Sequence, residues 1–181
     1  MFTLSMLYAT MLINLLRQYA TNIIKNFMKS CAFFGHRNMN VEQYREKLLN
    51  IIVDLIENKG VVQFYSGFRG DFDVFCSYLI HELKARYPQI KNTMVFSYLP
   101  EVSENPEYNF ELPKCFDDSV YLLERQVPKR LAIIETNKCL VDKVDYIIAG
   151  VITHGGGAYA ACEYANKKKK PIINVIDGWE I

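Results

Sequence analysis

The stretch Met28-Lys29-Ser30-Cys31-Ala32-Phe33-Phe34-Gly35-His36-Arg37 reads as a short buried strand, Cys31 to Phe34, closed by a glycine. Outward from it, strand and helix patterns alternate. Val41 to Asn58 carries Leu48, Ile52, Leu55 and Ile56 at helical spacing, and Lys59-Gly60 closes it as a helix end. Val61 to Tyr65 is a second strand, stopped by Ser66-Gly67. Asp71 to Tyr87 is a second helix, with Phe72, Phe75, Leu79, Ile80 and Leu83 on one side and Pro88 behind it. Thr93 to Tyr98 is a third strand. Leu99 to Val127, punctuated by Pro100, Pro106 and Pro113, is expected to be partly a loop folded over the strand ends. Lys129 to Lys143 is a helix, Asp145 to Val151 a strand, Gly155-Gly156-Gly157 a tight turn, Ala158 to Lys167 a helix and Pro171 to Ile176 a last strand.

Such alternation predicts parallel βαβ units with right-handed crossovers: an α/β fold with a parallel sheet of about five strands and helices on both faces. In a sheet of this kind ligands bind outside the carboxyl ends of the strands. All the Gly-rich and polar turns fall at those ends.

The chain of 181 residues is long enough for one domain and short for two. Its 21 basic and 20 acidic residues nearly cancel, so no overall field draws in nucleic acid or an anionic membrane. Any anion must be held by local geometry. Cys31, Cys76, Cys115, Cys139 and Cys162 are odd in number and scattered, without a Cys-x-x-Cys pair. The pattern fits reduced thiols of a cytoplasmic protein, and neither a disulfide frame nor a zinc site. No resident metal or cofactor is expected.

Residues 1–27 stand apart. Phe2 to Leu16 is apolar but interrupted by Ser5, Thr10 and Asn14, and it falls short of the roughly 20 residues that span a bilayer. The first basic residue, Arg17, follows the apolar run, whereas a secretory signal places charge before it. Leu12, Leu15, Leu16, Tyr19 and Ile23 recur at helical spacing. Residues 1–27 are therefore either an extra N-terminal helix or an over-extended start, and 28–181 form a single domain without a membrane partner.

Three turns could carry chemistry. Gly35-His36-Arg37 offers close backbone approach and a planar guanidinium fork that matches phosphate. Ser66-Gly67-Phe68-Arg69-Gly70-Asp71 opens a helix, so glycines, a hydroxyl and the helix dipole together form an anion cradle; alternatively Asp71 caps that helix. Thr153-His154-Gly155-Gly156-Gly157-Ala158 opens another helix, which carries Glu163. Glu163 is either a carboxylate reaching the crevice or an ordinary surface residue. Lys167 to Lys170, at the far end of that helix, read as a solvated face that compensates the helix C-terminus. There is no Walker loop, no Gly-x-Gly-x-x-Gly fingerprint and no Ser-His-Asp arrangement. Cys162, among Ala160, Ala161 and Ala165, reads as a core thiol.

The opening Met28 to Arg37, the Ser66 to Asp71 turn and the Asp145 to Ala149 strand before the Gly155 turn resemble YpsA-like proteins of the SLOG superfamily. The resemblance runs from about Met28 to Asp177 and implies a Rossmann-like fold that binds nucleotides or their derivatives. In the related Lonely Guy phosphoribohydrolases a Gly-Gly-x-Gly-Thr-x-x-Glu turn works with an upstream Arg. Glu163 matches that Glu, with Gly156 and Gly157 as the paired glycines. Tyr159 and Ala160 replace the next Gly and Thr, and the Arg position falls near Thr136 and Asn137. The related Smf proteins bind single-stranded DNA, to which the near-neutral charge here gives little support.

The expected function is binding or sensing of a nucleotide-derived, phosphate-bearing small molecule. Its expected ligand contacts are Gly35, His36, Arg37, Ser66, Gly67, Arg69, Gly70, Asp71, His154, Gly155, Gly156 and Gly157. The alternatives are an N-glycosidic hydrolase of nucleoside monophosphates with Glu163 as its catalytic carboxylate, or a nucleic-acid or protein interaction module. A homo-oligomer stays open.

Overall fold

The computed structural model describes residues 8, 10–16, 28–99, 110–125 and 127–178. Its strands are β1 (Lys29–Gly35), β2 (Val61–Ser66), β3 (Lys91–Phe96), β4 (Asp118–Tyr121), β5 (Tyr146–Gly150) and β6 (Ile172–Asn174). Its helices are α1 (Arg45–Lys59), α2 (Asp71–Leu83), α3 (Lys129–Lys143) and α4 (Gly156–Lys167). Every strand pair is parallel, in the order β4-β3-β2-β1-β5-β6.

The apolar run of β1 explains its central place, because Cys31 to Phe34 are buried on both faces and need helices on each side. Cys31 and Phe33 point into a core with Leu48, Ile52 and Leu55 of α1 and Phe72, Cys76 and Leu79 of α2. Ala32 and Phe34 point the other way, toward Leu140 and Val141 of α3 and Ala161, Cys162 and Ala165 of α4. The period-two alternation of one strand thus builds both layers.

The sheet has six strands rather than about five. β4 was hidden in the proline-punctuated stretch because Asp118-Ser119-Val120-Tyr121 contains no fully buried residue. An edge strand leaves no apolar run to read. The Asp117 carboxylate fixes it from outside the ladder by accepting the Asn92 N–H at 2.7 Å. The adjoining loop does fold over the strand ends: Phe116 meets Phe68 edge-on at 5.2 Å and Phe110 meets Phe96 at 4.9 Å.

Residues 10–16 are helical, with Met11, Leu12, Ile13, Leu15 and Leu16 each at least half exposed, so they add nothing to the core. Tyr19 and Ile23 lie outside the described residues. Among the described residues no helix is long and apolar enough to cross a membrane.

Candidate functional site

The chain runs outward from β1 through β2 and β3 to β4, then returns to place β5 on the other flank of β1. Such a reversal opens a crevice at the strand ends. Here it holds a cavity of about 330 Å³, within the roughly 300–1,000 Å³ of small-molecule sites.

One aromatic ring sets its geometry. Gly35 and Gly150 face each other across β1 and β5, and a Cβ on either would come within 2.2–2.3 Å of Phe72. The fully buried Phe72 ring lies over that bare backbone and brings the first turn of α2 down onto the strand ends. Packing alone is therefore reason enough for glycine at position 35.

The turn between β2 and α2 is bolted to the loop after β1. Asp71 donates its N–H to the Arg37 carbonyl at 2.8 Å, and its carboxylate accepts the Met39 N–H at 3.1 Å. Gly70, with no side chain, lies so close to Arg37 that a Cβ would stand 2.5 Å from its Cα. Within the turn, Ser66 Oγ accepts the Phe68 N–H and donates to the Asp73 carbonyl, both at 3.2 Å. These contacts bring Arg37 and Arg69 to one cavity, where neither forms an ion pair with a carboxylate among the described residues. Burial lowers the pKa of Arg69, against the opposing pull of Tyr98 and Asp73, and the like charge of Arg37 adds a smaller push downward. Its guanidinium stands over the Tyr98 ring, 5.5 Å from the centroid.

The turn between β5 and α4 is open. Gly156 has φ +79°, a left-handed conformation suited to glycine, and nothing lies within 4 Å of where a Cβ would be on Gly155 or Gly156. His36 Nε2 accepts the Thr153 N–H at 3.2 Å, tying this turn to β1. His154 instead stacks edge-on with Tyr159 at 5.1 Å. Neither α2 nor α4 has a side-chain cap on its first turn. The Asp71 N–H is taken by the Arg37 carbonyl, but the positive ends of both helix dipoles suit an anion.

Eight of the expected contacts line the cavity: Gly35, His36, Arg37, Gly67, Arg69, Gly70, Gly156 and Gly157. Ser66, Asp71, His154 and Gly155 hold or flank the turns and do not line it. Asp71 is not the cap of α2 either, since Gly70 takes that position. Glu163 is exposed and absent from the lining. The reason is helical phase: Ala161, Cys162 and Ala165 form the buried stripe of α4, which turns Glu163 outward. Burial pushes the Cys162 thiol up to about 12, consistent with a core thiol.

Sequence reasoning missed Asp73, Ser97 and, on the inner face of α3, Ile133 and Leu140, while Thr136 and Asn137 entered only as the place of an upstream Arg. Ile133, Thr136, Asn137 and Leu140 line the cavity at spacings of three, one and three, which is one stripe of a helix. Asn137 Nδ2 donates to the Gly157 carbonyl at 3.3 Å and joins α3 to the open turn. Asp73 lies on the buried side of α2 with Cys76, Ser77 and Ile80 at three, four and seven residues beyond it. That spacing is the signal that could have found it. Burial pushes its carboxyl up to about 7, against the opposing pull of Arg69 and of the backbone amides of Arg69 and Gly35. Among the described residues no group of three or more His, Cys, Asp and Glu could hold a metal ion.

No family model matches the sequence, and no curated protein matches it. Solved structures share the fold. DNA processing protein A from Streptococcus pneumoniae aligns with a TM-score of 0.57 at 14% identity, over 81% of this chain and 50% of that one. The same protein from Helicobacter pylori, described for its single-stranded DNA binding mode, aligns at 0.53 and 16%, over 81% and 64%. The molybdenum cofactor carrier protein from Chlamydomonas reinhardtii gives 0.46 and 15%, over 81% and 76%. This chain thus spans half to under two thirds of the length of the DNA processing proteins, and what it shares with them is the Rossmann-like α/β fold.

Proposed function

We propose that this chain belongs to the SLOG superfamily, in its YpsA-like branch, and binds or senses a nucleotide-derived, phosphate-bearing small molecule at the strand ends. One observation carries the reading: Arg37 and Arg69, which form no ion pair among the described residues, converge on one cavity with two helix N-termini that lack a side-chain cap. Guanidinium forks and helix N-termini suit phosphate oxygens. Behind them Phe34, Val95, Ile133 and Leu140 offer an apolar bed for a flat base.

Binding fits this arrangement better than hydrolysis, because Glu163 does not face the cavity. A nucleic-acid interface has less behind it. Within the Lys167–Lys170 run, Lys168 pairs with Asp142 at 3.3 Å and Lys170 donates to the Val144 carbonyl at 2.6 Å, closing the end of α3.

The test is a thermal-shift screen against nucleoside mono- and diphosphates, NAD, ADP-ribose and single-stranded DNA. A ligand at 100 times its Kd stabilises a protein by about 2.7 kcal/mol. The reading expects an upward shift with one of the small molecules. A shift with DNA alone would overturn it.

A further inference from the structure

Three buried side-chain polar atoms among the described residues have no hydrogen-bond partner: Asp73 Oδ1, Thr136 Oγ1 and Asn92 Oδ1. Asn92 lies at the start of β3, away from the cavity, and its amide Nδ2 is bound to the Cys115 carbonyl at 3.0 Å. The other two line the same cavity from opposite layers, Asp73 from α2 and Thr136 from α3. Thr136 is only 2% exposed. An unpartnered polar atom in an apolar lining costs stability and is rare unless a partner arrives from outside. Other buried hydroxyls near the site are satisfied: Ser66 and Ser77 both donate to the Asp73 carbonyl.

We propose that Asp73 and Thr136 form a specificity pair that accepts hydroxyl or amino donors from the buried, uncharged half of the ligand. The proposal rests on the phosphate-binding reading above and deepens it: the arginines take the anionic end, and this pair reads the nucleoside end. A carboxylate only accepts hydrogen bonds, while a threonine hydroxyl donates and accepts. The matching ligand group is a ribose diol or a base amine beside a ring nitrogen. Donors reaching the Asp73 carboxyl favour its ionised form, so the complex releases a proton that the free protein holds. The charged or titratable groups around Asp73 are Arg37, Arg69, Cys76 and His36.

The experiment is isothermal titration of wild type, Asp73→Asn and Thr136→Val with adenosine monophosphate, its 2′-deoxy form, inosine monophosphate and inorganic phosphate. Thermal melts confirm that each variant folds. The expected result is a loss of about tenfold or more in adenosine monophosphate affinity in each variant, with phosphate affinity unchanged. Near pH 6.5 the wild-type binding enthalpy should also vary with the buffer's ionisation enthalpy, and Asp73→Asn should remove that dependence. If the 2′-deoxy form already binds wild type weakly, the donor is the ribose; if inosine monophosphate does, it is the amine. Unchanged adenosine monophosphate affinity in both folded variants, or a parallel fall for phosphate, overturns the pair alone. Failure of wild type to bind any of the four probes overturns the pair and the phosphate reading together.

Discussion

The Gly-rich turns that open α2 and α4 read alike in sequence, yet they differ in what their glycines meet. At the first, Gly70 stands where a Cβ would come 2.5 Å from the Arg37 backbone, and a buried carboxyl follows three residues later. At the second, nothing lies within 4 Å of a Cβ on Gly155 or Gly156. One turn spends its glycine on packing two loops together. The other leaves backbone bare beside a cavity. Identical residue types can therefore serve closure in one place and access in another, and only substitution separates them.

The largest expected effect is at Asp73 in the packed turn. Its folded carboxyl holds a proton up to about pH 7, against an ordinary 3.8. The folded state thus binds more protons than the unfolded chain between those values, so stability falls as pH rises through that window and then levels. At about 1.4 kcal/mol per pH unit, the fall is on the order of 4 kcal/mol. Asp73→Asn should gain on wild type by up to that amount between pH 4 and pH 8 in chemical denaturation. A constant gap across this range would mean that Asp73 is ionised throughout.

Gly70→Ala should come next. Backbone must move to admit the methyl group, at a cost of about 1–3 kcal/mol read as a lower denaturation midpoint. Gly156→Ala meets open space but is strained by its left-handed φ, for about 1–2 kcal/mol. Gly155→Ala should leave the melting temperature unchanged, since its φ of 163° is extended and its surroundings are empty. A loss of stability there comparable to Gly70→Ala would erase the contrast between the two turns.

The same contrast explains what could be read in advance. β1, β2, β5, α1 and α2 stand out in sequence, because apolar residues with helical or strand spacing report burial directly. β4 does not, since Asp118-Ser119-Val120-Tyr121 borders the sheet and buries no residue fully. Arg37 and Arg69 are legible as cavity residues from their places beside turn glycines. Asp73 is masked by Asp71, whose position at a helix start looks functional, while the spacing to Cys76, Ser77 and Ile80 records which carboxyl faces inward. Thr136 and Asn137 are reached only by counting back from Asp145. Nothing local marks a helix face that closes a cavity built by two other turns. Glu163 looks catalytic through its motif and is turned outward by helical phase.

The central claim is that Arg69 and its neighbours hold a phosphate. Its most direct test is titration of adenosine monophosphate into wild type and Arg69→Ala at low and moderate salt. The account predicts a loss of about 1–3 kcal/mol in binding with an unchanged melting temperature of the free protein, and a smaller salt dependence in the variant. Equal affinity for both folded proteins would contradict it.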